Sequence, residues 1–264
     1  MHSLFSAIAS TVLAGFVIWQ VVKMYRDYPR LKQAVAQGDP AARTRFYARG
    51  LGFEWVSALL ALAALGFDKA KLMASALQME DTAFGHWVSS QSIASKPAMA
   101  GLGVGLVIGL IGLSIARLRA RGRGPALATS EAKPWFRKLV PDFTALIPTT
   151  GRERWLFAVV AISAGICEEI VFRGWLLYVL HRLGGLNGTA LILIGAALFG
   201  LCHIYQGVTG VIGTTLAGVL LAALYVATGT LLVPMVLHSL IDVRMAILPS
   251  SNPQVARAEA RQEM

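Results

Sequence analysis

Seven apolar runs, at about 4–22, 51–67, 98–116, 155–180, 189–205, 208–227 and 230–248, organise this chain of 264 residues. Each is close to the ~17–25 residues that a helix needs to cross the hydrocarbon of a bilayer. The fold class expected is all-α: a polytopic membrane bundle of about seven helices. Composition agrees, because 56% of residues are hydrophobic and only 14% are charged. A soluble domain carries about 25% charged residues and cannot cover its surface with so few. The last two runs are separated only by Thr228-Gly229 and form a tight helical hairpin.

The net charge of +10 comes from 24 Lys and Arg against 14 Asp and Glu. Taken alone it points to nucleic acid. In so apolar a chain it belongs to loops on the cytoplasmic side of a membrane, and no nucleic-acid partner is expected. The first run is not a secretory signal, because Met1-His2-Ser3 supplies no basic flank whereas Lys23, Arg26 and Arg30 follow the run. The connections 23–50, 68–97 and 117–154 carry seven, three and nine basic residues. Basic residues mark the inside, which sets the N-terminus outside and the C-terminus in the cytoplasm. The Ala- and Arg-rich usage suggests the inner membrane of a bacterium.

In the connection 117–154, Arg117, Arg119, Arg121 and Arg123 suit anionic headgroups. Trp135, Phe136 and Phe143 suit an interfacial amphipathic stretch. Gly101, Gly105 and Gly109 give the third run a small-residue face for close helix packing. Cys167 and Cys202 both lie inside apolar runs and form no disulfide framework or CxxC site.

Charges within a membrane helix cost several kcal/mol and need a reason; insertion scales give ~2.5–3.5 kcal/mol each at the centre. The first three runs hold only Glu54, near an end, whereas the last four hold Glu168, Glu169, Arg173, His203, His238 and Asp242. Glu169 and Arg173 are four apart in a proline-free run, so they share a helix face and pair. Glu168 points about 100° away, toward another neighbour, and stays free as a general base. His203 follows Phe199 by one turn, near the cytoplasmic end of its run. His238 and Asp242 are again four apart, so Asp242 is expected to accept from the His238 ring and fix its tautomer. Pro234, one turn earlier, is expected to free a carbonyl and kink that helix.

Two histidines and a free glutamate can hold a water or a metal and polarise a carbonyl. The sequence has no GxSxG serine, no HExxH and no GxGD pair. Attack by an activated water therefore fits better than an acyl-enzyme.

These elements resemble the signature of the CPBP family of intramembrane proteases, the CAAX protease and bacteriocin-processing family. Its pattern is EExxxR, then FxxxH, then HxxxN or HxxxD on successive membrane helices. Here the elements are Glu168-Glu169-x-x-x-Arg173, Phe199-x-x-x-His203 and His238-x-x-x-Asp242, with Phe172 and Gly174 flanking the arginine. The resemblance covers roughly 150–248 and divides the chain into three parts. Residues 1–150 are an N-terminal membrane region of three helices and basic cytoplasmic loops, 151–249 a catalytic helical core, and 250–264 a polar cytoplasmic tail.

The resemblance implies an endopeptidase with a conical polar site between the C-terminal helices, acting on a membrane-associated protein or peptide. By it, Glu168 activates water, His203 helps hold it, His238 and Asp242 stabilise the oxyanion, and Glu169 and Arg173 shape the site. Ionised aspartate cannot donate to an oxyanion, so Asp242 is either protonated or acts through His238. Glu168, His203 and His238 would also satisfy a divalent metal, zinc first, and the same groups can bind water with none. The competing expectation is a non-catalytic membrane scaffold, or an immunity or secretion accessory protein of the same fold. An ion transporter ranks below both, because no paired repeat of spans is visible.

Overall fold

The computed structural model describes residues 2–77 and 144–247. The third apolar run, residues 117–143 of the basic connection and the tail 250–264 lie outside the described residues. Within them all regular structure is helical. The long elements are α1 (His2–Ala36), α2 (Ala42–Ala64), α3 (Gly151–Arg182), α4 (Gly188–Cys202), α5 (Val208–Thr228) and α6 (Leu232–Val243). Short 3-10 turns at Lys69–Leu72, Ala74–Leu77, Thr144–Leu146, Ile204–Gln206 and Arg244–Ile247 join or extend them.

Among the described residues three helices are long and apolar enough to cross a membrane: Leu4–Ala36, Gly151–Arg182 and Val208–Thr228. The expected count of seven is therefore not reached by the described residues. α4 is apolar but only 15 residues long, and α6 only 12. α2 has 23 residues, but Arg43, Arg45 and Arg49 occupy its first turns. Apolar side chains point outward along single faces, as lipid contact requires. Val208, Ile212 and Leu216, one turn apart on α5, are all more than half exposed.

α1 continues well past its apolar run and through Pro29. The extension is held by packing: Tyr28 and Leu31 are buried against Ala42 and Ala145. Between α1 and α2, Asp39 accepts from the Ala41 amide and from Arg45, and these donors hold its carboxyl below the usual range. α3 begins on a capping box. The Glu153 amide donates to Thr150 Oγ1 at 3.2 Å, and the Glu153 carboxylate accepts from the Thr150 amide at 3.2 Å. Arg43 Nη1 lies 3.9 Å from that same side chain, and Tyr47 donates to the Leu146 carbonyl at 2.7 Å. The foot of α2 is thus tied to the foot of α3.

Packing runs α1 on α2, α2 on α3, α3 on α6, α6 on α5 and α5 on α4. α4 meets α3 again and closes the last four helices into a ring. Small residues set the spacing. A side chain at Gly165 on α3 would strike the backbone of Ser239 on α6, and one at Gly200 on α4 would strike Thr215 on α5. Leu177, Leu191, Ile192, Ala222 and Tyr225 fill the core between α3, α4 and α5.

Three local features differ from the expectation. α3 is not a uniform α-helix: Ile170–Leu176 is a π-helical turn, directly after the glutamate pair. Such turns carry a surplus residue and recur at functional sites. Pro234 does not kink α6, because it lies in the first turn, where its missing N–H has no helical carbonyl to meet. The final run is α-helical only to Val243 and tightens into a 3-10 turn. The hairpin does form, and Gly229 at φ 75° ends α5 in the left-handed conformation that glycine adopts without strain.

Candidate active site

The six charged residues singled out in the sequence come from α3, the end of α4 and α6, and they meet inside the ring. Glu169 and Arg173 are almost wholly buried and pair at 2.7 Å between Oε1 and Nη1. Arg173 also donates to the Gly218 carbonyl at 3.2 Å, and its guanidinium stands 4.6 Å from the centre of the Phe199 ring. A buried guanidinium here has a carboxylate, a carbonyl and an aromatic face, which offsets its desolvation.

His238 is turned toward this pair. Its Nδ1 lies 2.8 Å from Glu169 Oε1. A carboxylate only accepts, so Nδ1 carries the proton and Nε2 is the free atom of the neutral ring. The expected partner was Asp242, but Asp242 Oδ2 lies 3.6 Å from Nε2, beyond hydrogen-bond distance. The tautomer is therefore fixed from α3 and not from within α6. His203 follows the same logic. Its Nδ1 donates to the Phe199 carbonyl at 2.9 Å, one turn back on α4, and this leaves its Nε2 free.

Both free nitrogens face one atom. Glu168 Oε2 is 4.0 Å from His203 Nε2 and 3.9 Å from His238 Nε2. That oxygen is shut off from solvent and has no hydrogen-bond partner. Glu168 and Glu169 are neighbours with separate surroundings, as their helical offset requires: one is matched by Arg173 and His238, the other is open to two imidazoles. Phe199 holds the three motifs together. Its ring meets Phe172 edge-on with centres 4.9 Å apart, and lies 4.8 Å from the His203 ring and 5.9 Å from the His238 ring.

In donor type, an orphaned carboxylate oxygen with two imidazoles whose Nδ1 atoms are tied back matches a divalent cation. In spacing it does not. Donors about 2.0 Å from a tetrahedral ion stand about 3.3 Å apart, closer than the 3.9 and 4.0 Å found. Among the described residues no group of three His, Cys, Asp or Glu side chains could hold a metal ion. A single water can hydrogen-bond to two atoms about 4 Å apart.

Two further residues join the site. Glu54 on α2 lies within electrostatic reach of Glu168, Asp242 and His238. Its signal in the sequence was a charge in an otherwise apolar run, though the run alone does not say which helix it faces. Tyr205, just after α4, has its ring 6.1 Å from that of His203.

Residues 150–244 match the family model for Rce1-like proteins, described as type II CAAX prenyl endopeptidase Rce1-like. The segment that carries the three motifs is thus similar to that family. No curated protein and no solved structure matches the chain.

Proposed function

Starting from an Rce1-like segment that spans α3 to α6, we propose that the chain is an intramembrane endopeptidase. Its chemistry is hydrolysis of a peptide bond in a membrane-associated protein or peptide by a water that Glu168 activates. The observation that carries this reading is the convergence of His203 Nε2 and His238 Nε2 on the unpartnered Glu168 Oε2.

A water between these atoms gives its proton to Glu168 and keeps a lone pair for the carbonyl carbon. His203 orients it. As charge grows on the carbonyl oxygen, His238 keeps Nδ1–H on Glu169 and, in its charged form with a second proton taken from solvent onto Nε2, offers Nε2–H to the oxyanion. Asp242 acts through that imidazolium, which it faces from the next turn of α6. Glu168 then returns the proton to the departing amine. Arg173 neutralises Glu169 and so keeps it an acceptor, not a competing base. Glu168, His203 and His238 match a zinc ion in donor type but stand too far apart to close on one, so no step is placed on a metal.

The apolar helices support an integral membrane protein. The basic connections support a cytoplasmic C-terminus, an external N-terminus and a bacterial inner membrane as its site, with seven spans in all. The deciding experiment compares membrane peptides in cells carrying the wild type and Glu168→Gln. Peptides that appear only with the wild type, at equal expression, support the protease. Identical peptide sets would leave the chain a scaffold or accessory protein of this fold.

A further inference from the structure

Glu54 stands outside the matched segment, on a helix that carries none of the three motifs. α2 packs on α3 and on its π-helical turn. Beside Glu54, the Trp55 indole donates to Ser163 on α3 at 3.3 Å, which fixes this part of α2 against the site helix. Glu54 is within electrostatic reach not only of Glu168, Asp242 and His238 but also of Cys167 and Tyr205. Its Oε2 is closed to solvent and has no hydrogen-bond partner.

An acceptor oxygen kept from water without a donor is costly. Such groups are rare in folded proteins and call for an explanation. Glu168 Oε2 and Glu169 Oε2 are orphaned too, but those side chains have facing donors or rings: Glu169 pairs with Arg173 and His238 through its other oxygen, and Glu168 faces two imidazoles. What Glu54 lacks is an N–H. A peptide whose carbonyl faces His238 presents backbone N–H groups to its surroundings, and α2 packs directly on the helix that carries Glu168.

We infer that Glu54 is a substrate-binding residue whose Oε2 accepts a hydrogen bond from a backbone N–H of the peptide being cleaved. This rests on the protease reading above. The contact fixes the register of the substrate backbone over Glu168 without selecting a side chain, and correct placement of reacting atoms accounts for much of catalysis. It also gives the N-terminal region a direct part in the reaction.

The test uses the full chain in detergent and short, end-blocked fluorescent peptides in which each amide is N-methylated in turn. KM and kcat are read for wild type, Glu54→Ala and Glu54→Gln. Binding of the same peptides is read in a Glu168→Gln background, where turnover is absent. One N-methyl position should weaken wild-type binding roughly three- to tenfold, the loss of one hydrogen bond to a carboxyl oxygen. Glu54→Ala should raise KM for the unmodified peptide by a similar factor and no longer distinguish that N-methyl peptide. Glu54→Gln, which keeps an acceptor oxygen, should restore most of the binding.

Unchanged KM in Glu54→Ala, or full discrimination retained by it, overturns the assignment. So does a loss of thermal stability that accounts for the weaker binding. A wild type that binds but cleaves nothing sinks the protease reading alone, and the binding measurements then decide Glu54 separately. Binding of none of the peptides overturns both.

Discussion

His238 and Glu169, 69 positions apart in the chain, are joined at 2.8 Å between Nδ1 and Oε1. The same carboxylate oxygen pairs with Arg173 at 2.7 Å. One atom of α3 thus fixes the imidazole of α6 and neutralises a buried guanidinium. The two adjacent glutamates should therefore fail in different ways.

Glu169→Gln leaves Arg173, which is only 2% exposed, without its counter-charge. Removing one partner of a buried pair costs about 3–5 kcal/mol. Thermal unfolding in detergent should show a loss of this order, together with lost cleavage because His238 is no longer held. Glu168→Gln should lose cleavage while unfolding within about 1 kcal/mol of the wild type, since its Oε2 makes no hydrogen bond to lose. Equal stability of the two variants would contradict the division of roles.

Gly165→Ala places a methyl group against the backbone of Ser239, one residue from His238. Backbone cannot swing aside as a side chain can, so α6 must shift. Expected costs are about 1–3 kcal/mol, as for other overpacked sites, and a fall in kcat larger than the change in KM. Gly213→Ala, which meets open space on α5, serves as the control and should change neither quantity. Matching behaviour of the two variants in melting and kinetics would remove the packing argument.

The separations of 3.9 and 4.0 Å around Glu168 Oε2 exceed those of a tetrahedral zinc site. The protein purified without chelator should carry zinc well below one ion per chain, and cleavage should survive dialysis against a chelator. One zinc per chain, with activity lost on chelation and restored by zinc, would mean that the three side chains close in on an ion.

The readable part of this protein lay in periodicity. Continuous apolar runs indicate helices, and a four-residue interval places Glu169 beside Arg173 and Glu168 elsewhere. The same interval misleads at His238. Asp242 has the right helical offset, yet a partner from another helix takes the ring proton, and helix periodicity carries no information about contacts across 69 residues. Glu54 was visible as a charge out of place, but its neighbours follow from how α2 packs. The π-helical turn had no signal in residue type.

That turn has a consequence for what changes the chain can tolerate. A π-helical turn holds one more residue than the α-helix it interrupts. Deleting one residue from Ile170–Phe172 would let the helix heal with the segment beyond it near its present face, where the same deletion from a regular α-helix turns that segment by about 100°. Trp175 would keep its reach to Ser10, to which it now donates at 3.1 Å, and Leu177 its place in the core, while Arg173 would move to three residues from Glu169. The cost of such a deletion would fall on the Glu169–Arg173 pair and not on the packing of the far half of the helix.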